Sequence, residues 1–481
     1  MKRAVFGKTI LTSVKANVTA GVAALALTVA MPAAALADTL ADAMADAYKN
    51  SGLLEQNRAV LRAADEDVAV AVSALRPVLT WAYTVTHSFG QNRSASTGGA
   101  AVGFTNNDVT LALAAEQLLW DNGRSKKQIE AAKEAVLSTR QALVSIEQAV
   151  LLQAVDAYTR VRTAAETVAL RENNVRVIIE ELRAAKDRFE VGEVTRTDVA
   201  QAEARLAQAR AAQAQAQGDL VSAQEYFLAA VGRRAGRLAS PPTAPMTAKS
   251  AAEAKAVAQR THPDVLKAKH DVAAADLAVA ISEAAMKPTV ALKGRYGLTE
   301  TFDSTNFSHA GSVSVEASGP IYMGGRLSAS LRQAMARRDV ARSALHLTSV
   351  SVAQNAGTAF ANLQVARAAR EAGDRQVRFA RVAFRGVREE ATLGARTTLD
   401  VLNAEQELLN AQASLITAVA NEYLASYSLL SSMGLLTAQH LRLGVPRYDP
   451  AAYYKQVKDA PALKSEQGKK LDKMLRRIGK E

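Results

Sequence analysis

Two segments of the chain alternate apolar and polar residues with a period of two, which is the pattern of a β-strand with one apolar face. In the first segment the apolar positions are Leu79, Trp81, Tyr83, Val85, Val109, Leu111 and Leu113. In the second segment they are Val290, Leu292, Val313 and Val315. We therefore predict two β-hairpins, at about 77–119 and about 288–321, and a Gly/Ser/Asn-rich loop over residues 87–107 in the first hairpin.

After each hairpin the small and apolar residues recur at every seventh position, which is the repeat of helices that supercoil around one another. The first such series is Ile129, Val136, Leu143, Val150, Ala157 and Ala164. Beyond a glycine turn it continues at Ala202, Ala209, Ala216, Ala223 and Ala230, and the second half has Ala404, Ala411, Ala418 and Ala425. The first helix is predicted to run from Arg124 to near Val191, about 100 Å at a rise of ~1.5 Å per residue. A solid coiled-coil rod is the plain alternative, and it would leave the two hairpins without a purpose.

The two halves of the chain repeat each other. Residues 191–209 align with residues 393–411 at a constant shift of 202, which matches Gly192 with Gly394, Thr195 with Thr397, Asp198 with Asp400 and Glu203 with Glu405. We predict a first repeat at 38–232 and a second at 250–444, each with short helices, a β-hairpin and a long helix pair. The Pro-rich segment 233–249 is the predicted linker between them.

Both ends of the chain are basic. Residues 1–37 carry Lys2, Arg3, Lys8 and Lys15 without an acid, then an uncharged alanine-rich stretch that ends in Ala35-Leu36-Ala37. This is the layout of a secretory signal peptide cleaved before Asp38, and Pro32 disfavours the alternative of an uncleaved anchor. The tail at 445–481 has ten Lys/Arg against five acids and is predicted to be a solvated extension, with a membrane-surface or partner contact as the alternative.

Composition sharpens these predictions. The chain has 481 residues, 49% of them hydrophobic but 5% aromatic, which favours long helices packed through alanine seams over an aromatic-rich globular core. The net charge of +12 belongs mostly to the two ends, so we predict no nucleic-acid-binding face. The absence of cysteine excludes disulfides, Cys-ligated zinc, a thiol nucleophile and lipid attachment to a thiol.

The sequence contains no recognisable catalytic motif. Its six histidines form no His-Glu-x-x-His pair, and there is no phosphate loop, dinucleotide fingerprint or Gly-x-Ser-x-Gly elbow. We therefore predict that the protein is not an enzyme and has no catalytic residues, metal site or cofactor.

Four strands are too few for a membrane barrel, whose smallest form has about eight. After Asp38 no apolar run reaches the ~20 residues of a transmembrane helix. Either several chains contribute strands to one barrel, or the hairpins are not embedded in a membrane at all.

The order of signal, short helices, strand pair, long helix, VG-x-x-T-x-x-D turn and returning helix, found twice, resembles the TolC family of outer-membrane efflux and secretion channels of Gram-negative bacteria. The resemblance implies a mainly α fold with membrane β, in which three protomers form an α-barrel continued by a 12-strand β-barrel. It implies a passive exit duct of a tripartite efflux pump or type I secretion system, located in the outer membrane and extending into the periplasm.

The expected partners follow from the same resemblance. They are two further copies of the chain, outer-membrane lipid, a periplasmic adaptor (membrane fusion) protein and an inner-membrane RND or ABC transporter. The alternative from another class is a periplasmic coiled-coil adaptor or scaffold protein.

The resemblance also implies a periplasmic gate at the turns. Asp400 matches the first of two acids that form a ring at the tunnel entrance, and Asn403 replaces the second. Arg396 matches an arginine that tethers the closed entrance, and Thr197 and Asp198 match its partners on the neighbouring turn. The chain has Ala391 where the family often has a tyrosine.

The turns themselves are predicted to contact the adaptor, because they lie at the far end of the helices from the strands. The residues concerned are Val191, Gly192, Thr195, Leu393, Gly394 and Thr397. In the plainer interpretation Asp198 and Asp400 cap helices after a glycine turn, and capping and gating can coexist.

Overall fold

The structure is a computed structural model that describes residues 38–240, 248–302, 306–446 and 448–478. The predicted signal peptide and part of the predicted linker lie outside the described residues. Helix makes up 68% of the structure. The first half contains α1 (Leu40–Asn50), α2 (Gly52–Ser73), β1 (Val78–Arg93), β2 (Ala101–Trp120), α3 (Arg124–Glu190) and α4 (Arg196–Val231).

The second half repeats this order, as the sequence alignment of the halves requires. It contains α5 (Ala251–Thr261), α6 (Pro263–Ala284), β3 (Thr289–Thr301), β4 (Phe307–Ser318), α7 (Arg326–Thr392) and α8 (Thr398–Ser432). Two further helices, α9 (Pro450–Val457) and α10 (Glu466–Ile478), follow the second repeat. Among the described residues, no helix combines the length and the apolar character needed to cross a membrane.

The long helices α3 and α7 are each continuous over 67 residues, as the heptad spacing predicts. Their return helices are about half as long, with 36 residues in α4 and 35 in α8. The half of α3 nearer the strands therefore packs against α2 and α6, while α7 packs against α5 and α6. Helix α6 thus joins the two repeats, because it contacts both long helices.

The predicted seams are buried or half-buried. On α3 the seam residues that are at most 9% exposed are Ile129, Val136, Val150 and Ala157. On α4 they are Ala202, Ala209 and Ala216. Alanine at a seam lets two helix backbones approach closely, which explains how the chain packs with so few aromatic residues. The prediction of long antiparallel coiled-coil helices is confirmed.

The largest apolar cluster lies where α1 and α5 meet the long helices, and its bulkiest members include Tyr158, Phe227, Leu363 and Leu430. The Tyr158 hydroxyl lies 2.6 Å from the main-chain oxygen of Ala239 and 3.0 Å from that of Asp38, so its one proton is shared between two acceptors. Arg233 also binds the Asp38 carboxylate at 2.7 Å. The residue predicted to begin the mature chain is therefore held against the segment that follows α4.

The four strands form one antiparallel sheet in the order β1-β2-β3-β4. The register places Trp81 opposite Leu113 and Leu113 opposite Tyr296, so the apolar positions of both hairpins share one face. Trp81 is 73% exposed and Val313 is 80% exposed within the protomer. Within the described residues β1 and β4 each pair with a single strand, so the sheet has two open edges.

The prediction that residues 87–107 form a loop is wrong for most of this segment. Pairing between β1 and β2 continues without a break to Arg93 opposite Ala101, and only residues 94–100 connect the strands. His87 Nδ1 lies 2.6 Å from Asn107 Oδ1 across this extension. Antiparallel pairing uses main-chain groups, so Gly, Ser and Asn can continue a hairpin without apolar alternation.

The prediction that the C-terminal tail is a solvated extension is also wrong. Helix α9 packs on α2, with Tyr453 at 6% and Val457 at 0% exposure. The Tyr453 hydroxyl donates to Glu66 Oε1 at 2.6 Å. Helix α10 then contacts α9 through Leu471 and Met474. Aromatic and apolar residues interspersed among the basic ones give the tail an apolar surface that packs against the protein.

Candidate functional site

The turns at the far ends of the long helices are two copies of one structure. Gly192 has φ of 79° and Gly394 has φ of 77°, a left-handed conformation that glycine adopts at little cost. The Glu193 amide donates to the Arg188 oxygen at 2.9 Å, and the Ala395 amide donates to the Glu390 oxygen at 2.9 Å. These bonds satisfy carbonyl groups at the helix ends, as in a Schellman motif.

The helix that follows each turn begins with a capping box. The Thr195 amide donates to Asp198 Oδ2 at 2.9 Å, and the Thr397 amide donates to Asp400 Oδ2 at 3.0 Å. The threonine hydroxyls accept from the aspartate amides at 3.3 Å and 3.2 Å. Hydrogen bonds from the two threonines hold the pKa values of Asp198 and Asp400 below the ordinary range. Both carboxylates therefore cap helices and remain ionised near neutral pH.

The tips expose apolar side chains. Val191 is 71% exposed and Leu393 is 85% exposed, at equivalent positions of the two repeats. Their neighbours Gly192 and Gly394 are also exposed and have no side chain within 4 Å of the position a Cβ would take. Each tip is therefore an accessible surface with an apolar residue at its centre.

Arg396 lies on the second turn and binds within its own protomer. Its Nε donates to Glu390 Oε2 at 2.8 Å, and both side chains are 51% exposed. Among the described residues, no hydrogen bond or ion pair joins Arg396 to Thr197 or Asp198. The structure of one protomer thus does not bring the predicted tether residues together.

Asn403 connects the two helix pairs near the tips. Arg205 of α4 donates from Nη2 to Asn403 Oδ1 of α8 at 3.3 Å. An amide at this position accepts a hydrogen bond without adding a second negative charge beside Asp400.

A buried polar contact joins the two repeats, and no motif of the sequence predicts it. Asn174 of α3 donates to Glu405 Oε1 of α8 at 2.7 Å, and the two residues are 5% and 7% exposed. Burial raises the pKa of Glu405 to about 7. The negative charge of Glu181 also raises this pKa, whereas the hydrogen bond from Asn174 and the positive charge of Arg388 lower it. Arg388 of α7 also binds Glu181 of α3 at 3.3 Å. Together these contacts join the two helix pairs of one protomer.

The repeat alignment contains a partial signal for this site. Glu405 is the counterpart of Glu203, which is exposed and binds Lys186 at 2.9 Å. Arg388 is the counterpart of Lys186 at the same shift of 202 residues. In the second repeat, however, Arg388 binds Glu181 of the first repeat, and Glu405 is buried against Asn174 of the first repeat.

No group of three or more His, Asp or Glu side chains suited to a metal ion occurs in the described part of the chain. The site instead consists of paired helix tips, and the opposite end of the molecule is a sheet with one apolar face. Long helices that join such a sheet to exposed tips define the protomer of an outer-membrane channel.

Comparison with known proteins identifies the family. The family model described as "Outer membrane efflux protein" matches residues 43–233 and 256–435, so the chain belongs to that family. The resemblance to the TolC family is confirmed. Members of this family are channels and not enzymes, and the protein is located in the outer membrane with a periplasmic extension.

Individual relatives cover most of the chain. It is 36% identical over 414 residues to the outer membrane efflux protein BepC of Brucella suis biovar 1, covering 86% of this chain and 89% of BepC. It is 24% identical over 406 residues to the outer membrane protein TolC of Escherichia coli K12, covering 81% of this chain and 80% of TolC. It is 25% identical over 381 residues to the alkaline protease secretion protein AprF of Pseudomonas aeruginosa, covering 75% and 77%.

The fold is shared with solved channel structures. The Campylobacter jejuni CmeC outer membrane channel superposes with a TM-score of 0.73 at 15% identity, covering 88% of this chain and 90% of that chain. The predicted fold class is confirmed: the protomer matches TolC-like channels, which are trimeric α-barrels with a β-barrel. The protein is thus an outer-membrane exit duct by fold and by family.

Proposed function

We propose that three copies of the chain form one passive channel, in which twelve strands close a barrel in the outer membrane and the helices form a tunnel into the periplasm. The observation that carries this proposal is the sheet with two open edges and one apolar face. An unpaired strand edge in lipid leaves main-chain N–H and C=O groups without partners, which is costly. Pairing of β1 from one copy with β4 from the next satisfies both edges.

The apolar face supports the same arrangement. Leu79, Trp81, Val313 and Val315 are each at least 67% exposed in the protomer, far more than a water-facing sheet normally carries on one contiguous face. In a closed barrel this face contacts lipid. The opposite face, with Lys293 bound to Glu316 at 2.8 Å, lines the interior.

We propose that the tips are the docking surface for a periplasmic adaptor. The exposed apolar residues Val191 and Leu393 and the two glycines beside them support this assignment. An inner-membrane transporter, held by the adaptor, supplies the energy for export, since members of the family are channels and not enzymes. Arg396, Asp198, Thr197, Asp400 and Asn403 then form the gate where the tips of three copies meet.

The duct is proposed to serve a tripartite efflux pump. BepC carries the name of an efflux protein and is 36% identical, whereas the secretion protein AprF is 25% identical. The similarity to AprF makes type I secretion the second candidate. We further propose that residues 1–37 are a signal peptide and that 38–232 and 250–444 are the two repeats, joined by the linker 233–249.

The proposal is tested by fractionation of cells that produce the full chain. A channel is expected in the outer-membrane fraction, as a trimer that dissociates on heating. A soluble periplasmic monomer would overturn the proposal and favour the adaptor or scaffold alternative. Co-purification then separates the two transport systems, because an efflux duct is expected with an RND-type transporter and a secretion duct with an ABC transporter.

A further inference from the structure

Helix α10 presents a basic face to solvent. Its exposed cations are Lys469, Lys470, Lys473, Arg476 and Arg477. The opposite face carries Leu471 and Met474, which pack against α9. Within the described residues, Arg476 is the one member of this set in an ion pair, with Asp472 at 3.0 Å. The remaining cations make no ion pair with any other described residue and form a strongly charged patch.

The position of this patch follows from the path of α9 along α2. Tyr453 of α9 binds Glu66 of α2, and beyond the ends of both helices Arg76 donates to the main-chain oxygens of Asp459 and Ala460. Arg76 lies two residues before Val78, where β1 begins. The connection between α9 and α10 therefore lies at the level where the chain enters the membrane sheet.

This connection also exposes an apolar side chain. Leu463 is 77% exposed and stands next to Lys464, and Lys458 is exposed at the end of α9. Residues 464–478 carry six Lys/Arg against two acids. An apolar residue surrounded by cations beside a bilayer is the arrangement of segments that lie in a membrane interface.

We propose that the segment from Lys458 to Arg477 binds anionic phospholipids of the leaflet that faces the periplasm. Leu463 enters the interface, while the basic face of α10 and Lys464 contact lipid phosphates. Charge complementarity and the junction with the membrane sheet at Arg76 and Val78 specify a lipid surface as the occupant. This contact goes beyond export, because it sets the depth of each protomer in the membrane and takes no part in conduction.

The absence of native cysteine allows a direct test with a single label. Leu463→Cys is labelled with the fluorophore NBD, and the full chain is reconstituted in nanodiscs that contain lipids spin-labelled at the headgroup. We expect quenching in discs that contain phosphatidylglycerol, and weaker quenching in phosphatidylcholine discs and at high salt. In the background K469Q/K473Q/R477Q the ratio of docked to undocked segment should fall on the order of 100-fold, since each cation near an anionic bilayer contributes about fivefold.

The matched control is the charge-conserving background K469R/K473R/R477K, in which quenching should persist. All variants should retain the channel conductance of the parent, so a failure here is distinct from a failure of the exit-duct proposal. Equal quenching in both kinds of disc, unaffected by neutralisation, would overturn the proposal. So would an unquenched label together with charge-dependent binding to purified cell-wall polymer, which would assign the patch to that partner.

Discussion

The side-chain amide of Asn174 donates to Glu405 Oε1 at 2.7 Å and joins the first repeat to the second inside one protomer. Both residues are buried, and the contact lies on the part of α3 and α8 that leads to the tips. In the proposed gate, a motion that separates the two helix pairs at the level of Asn174 and Glu405 breaks this hydrogen bond. Glu405 is therefore placed to couple the opening of the entrance to its own ionisation.

The pH dependence follows from the pKa of about 7 that burial gives Glu405, against an ordinary value of 4.5. A raised pKa means that the packed state is stabilised at low pH and loses this stability as pH rises through 7. The difference corresponds to at most ~3 kcal/mol. In planar bilayers we expect the open fraction to increase between pH 6 and 8, and Glu405→Gln to abolish this increase.

The matched control for this experiment is Glu203→Gln. Glu203 is the repeat counterpart of Glu405 but is exposed and bound to Lys186, so its removal should leave the pH profile unchanged. An equal effect of the two substitutions would show that burial against α3 does not determine the response.

The tether at the entrance is tested at Arg396. Replacement of Arg396 with Ser should raise single-channel conductance, because the proposed gate then loses the cation that we propose tethers it to the neighbouring turn. Glu390→Gln is the control, since it removes the partner that Arg396 has within the protomer at 2.8 Å. We expect no increase for that variant. Unchanged conductance of the Arg396 variant would contradict the tether.

The acidic ring is tested at Asp400. Its carboxylate caps α8, so Asp400→Asn is more informative than Asp400→Ala because the amide oxygen can still accept from the Thr397 amide. Loss of this negative charge from each copy of the proposed trimer should abolish block of the channel by multivalent cations added on the periplasmic side. Block that persists in Asp400→Asn but disappears in Asp198→Asn would place the ring on the first turn instead.

A buried carboxylate beneath the C-terminal tail gives a stability prediction. Asp65 is fully buried, its pKa is raised to about 6 by burial, and its nearest cation is Arg140 at 3.9 Å. The contribution of Asp65 to the free energy of unfolding is therefore greatest below pH 3.8 and is lost as pH rises through 6. Asp65→Asn should stabilise the protein by about 1 kcal/mol at pH 8, because the desolvation cost is removed while Arg140 loses its partner.

Thermal unfolding of the detergent-solubilised protein at pH 4 and pH 8 measures this effect. The midpoint of Asp65→Asn should exceed that of the parent at pH 8, and the two should converge at pH 4. A lower midpoint of the variant at pH 8 would show that the Arg140 pair outweighs the desolvation cost.

The features that could be predicted from the sequence are those that depend on residues close together in the chain. The start of α3 at Arg124 and its end before Gly192 follow from the heptad spacing, the absence of proline and the glycine turn. The capping boxes at Thr195 and Thr397 follow from the spacing of threonine and aspartate. Duplication of these signals at a fixed shift made the repeats evident.

The features that could not be predicted from the sequence depend on contacts between distant segments. Burial of Glu405 requires α3 of the other repeat, and its exposed counterpart Glu203 has the same local sequence context. Docking of α9 includes a hydrogen bond from Tyr453 to Glu66, which lies 387 residues earlier in the chain. The full length of the first hairpin was not predicted because its outer part lacks apolar alternation: Phe89 lies on one face, Val102 and Phe104 lie on the other, and main-chain pairing holds the strands together.

In the proposed channel, the open edges of three sheets pair and close one barrel. Thr80, Ala114, Arg295 and Ser312 form one row across the polar face, from β1 to β4. Ser312→Cys is therefore combined in turn with Thr80→Cys, Ala82→Cys and Thr84→Cys, and each pair is oxidised in outer membranes. We predict a covalent trimer with no larger species for at least one pair. Exclusive monomer in every pair, or a ladder of larger oligomers, would contradict a closed three-copy barrel.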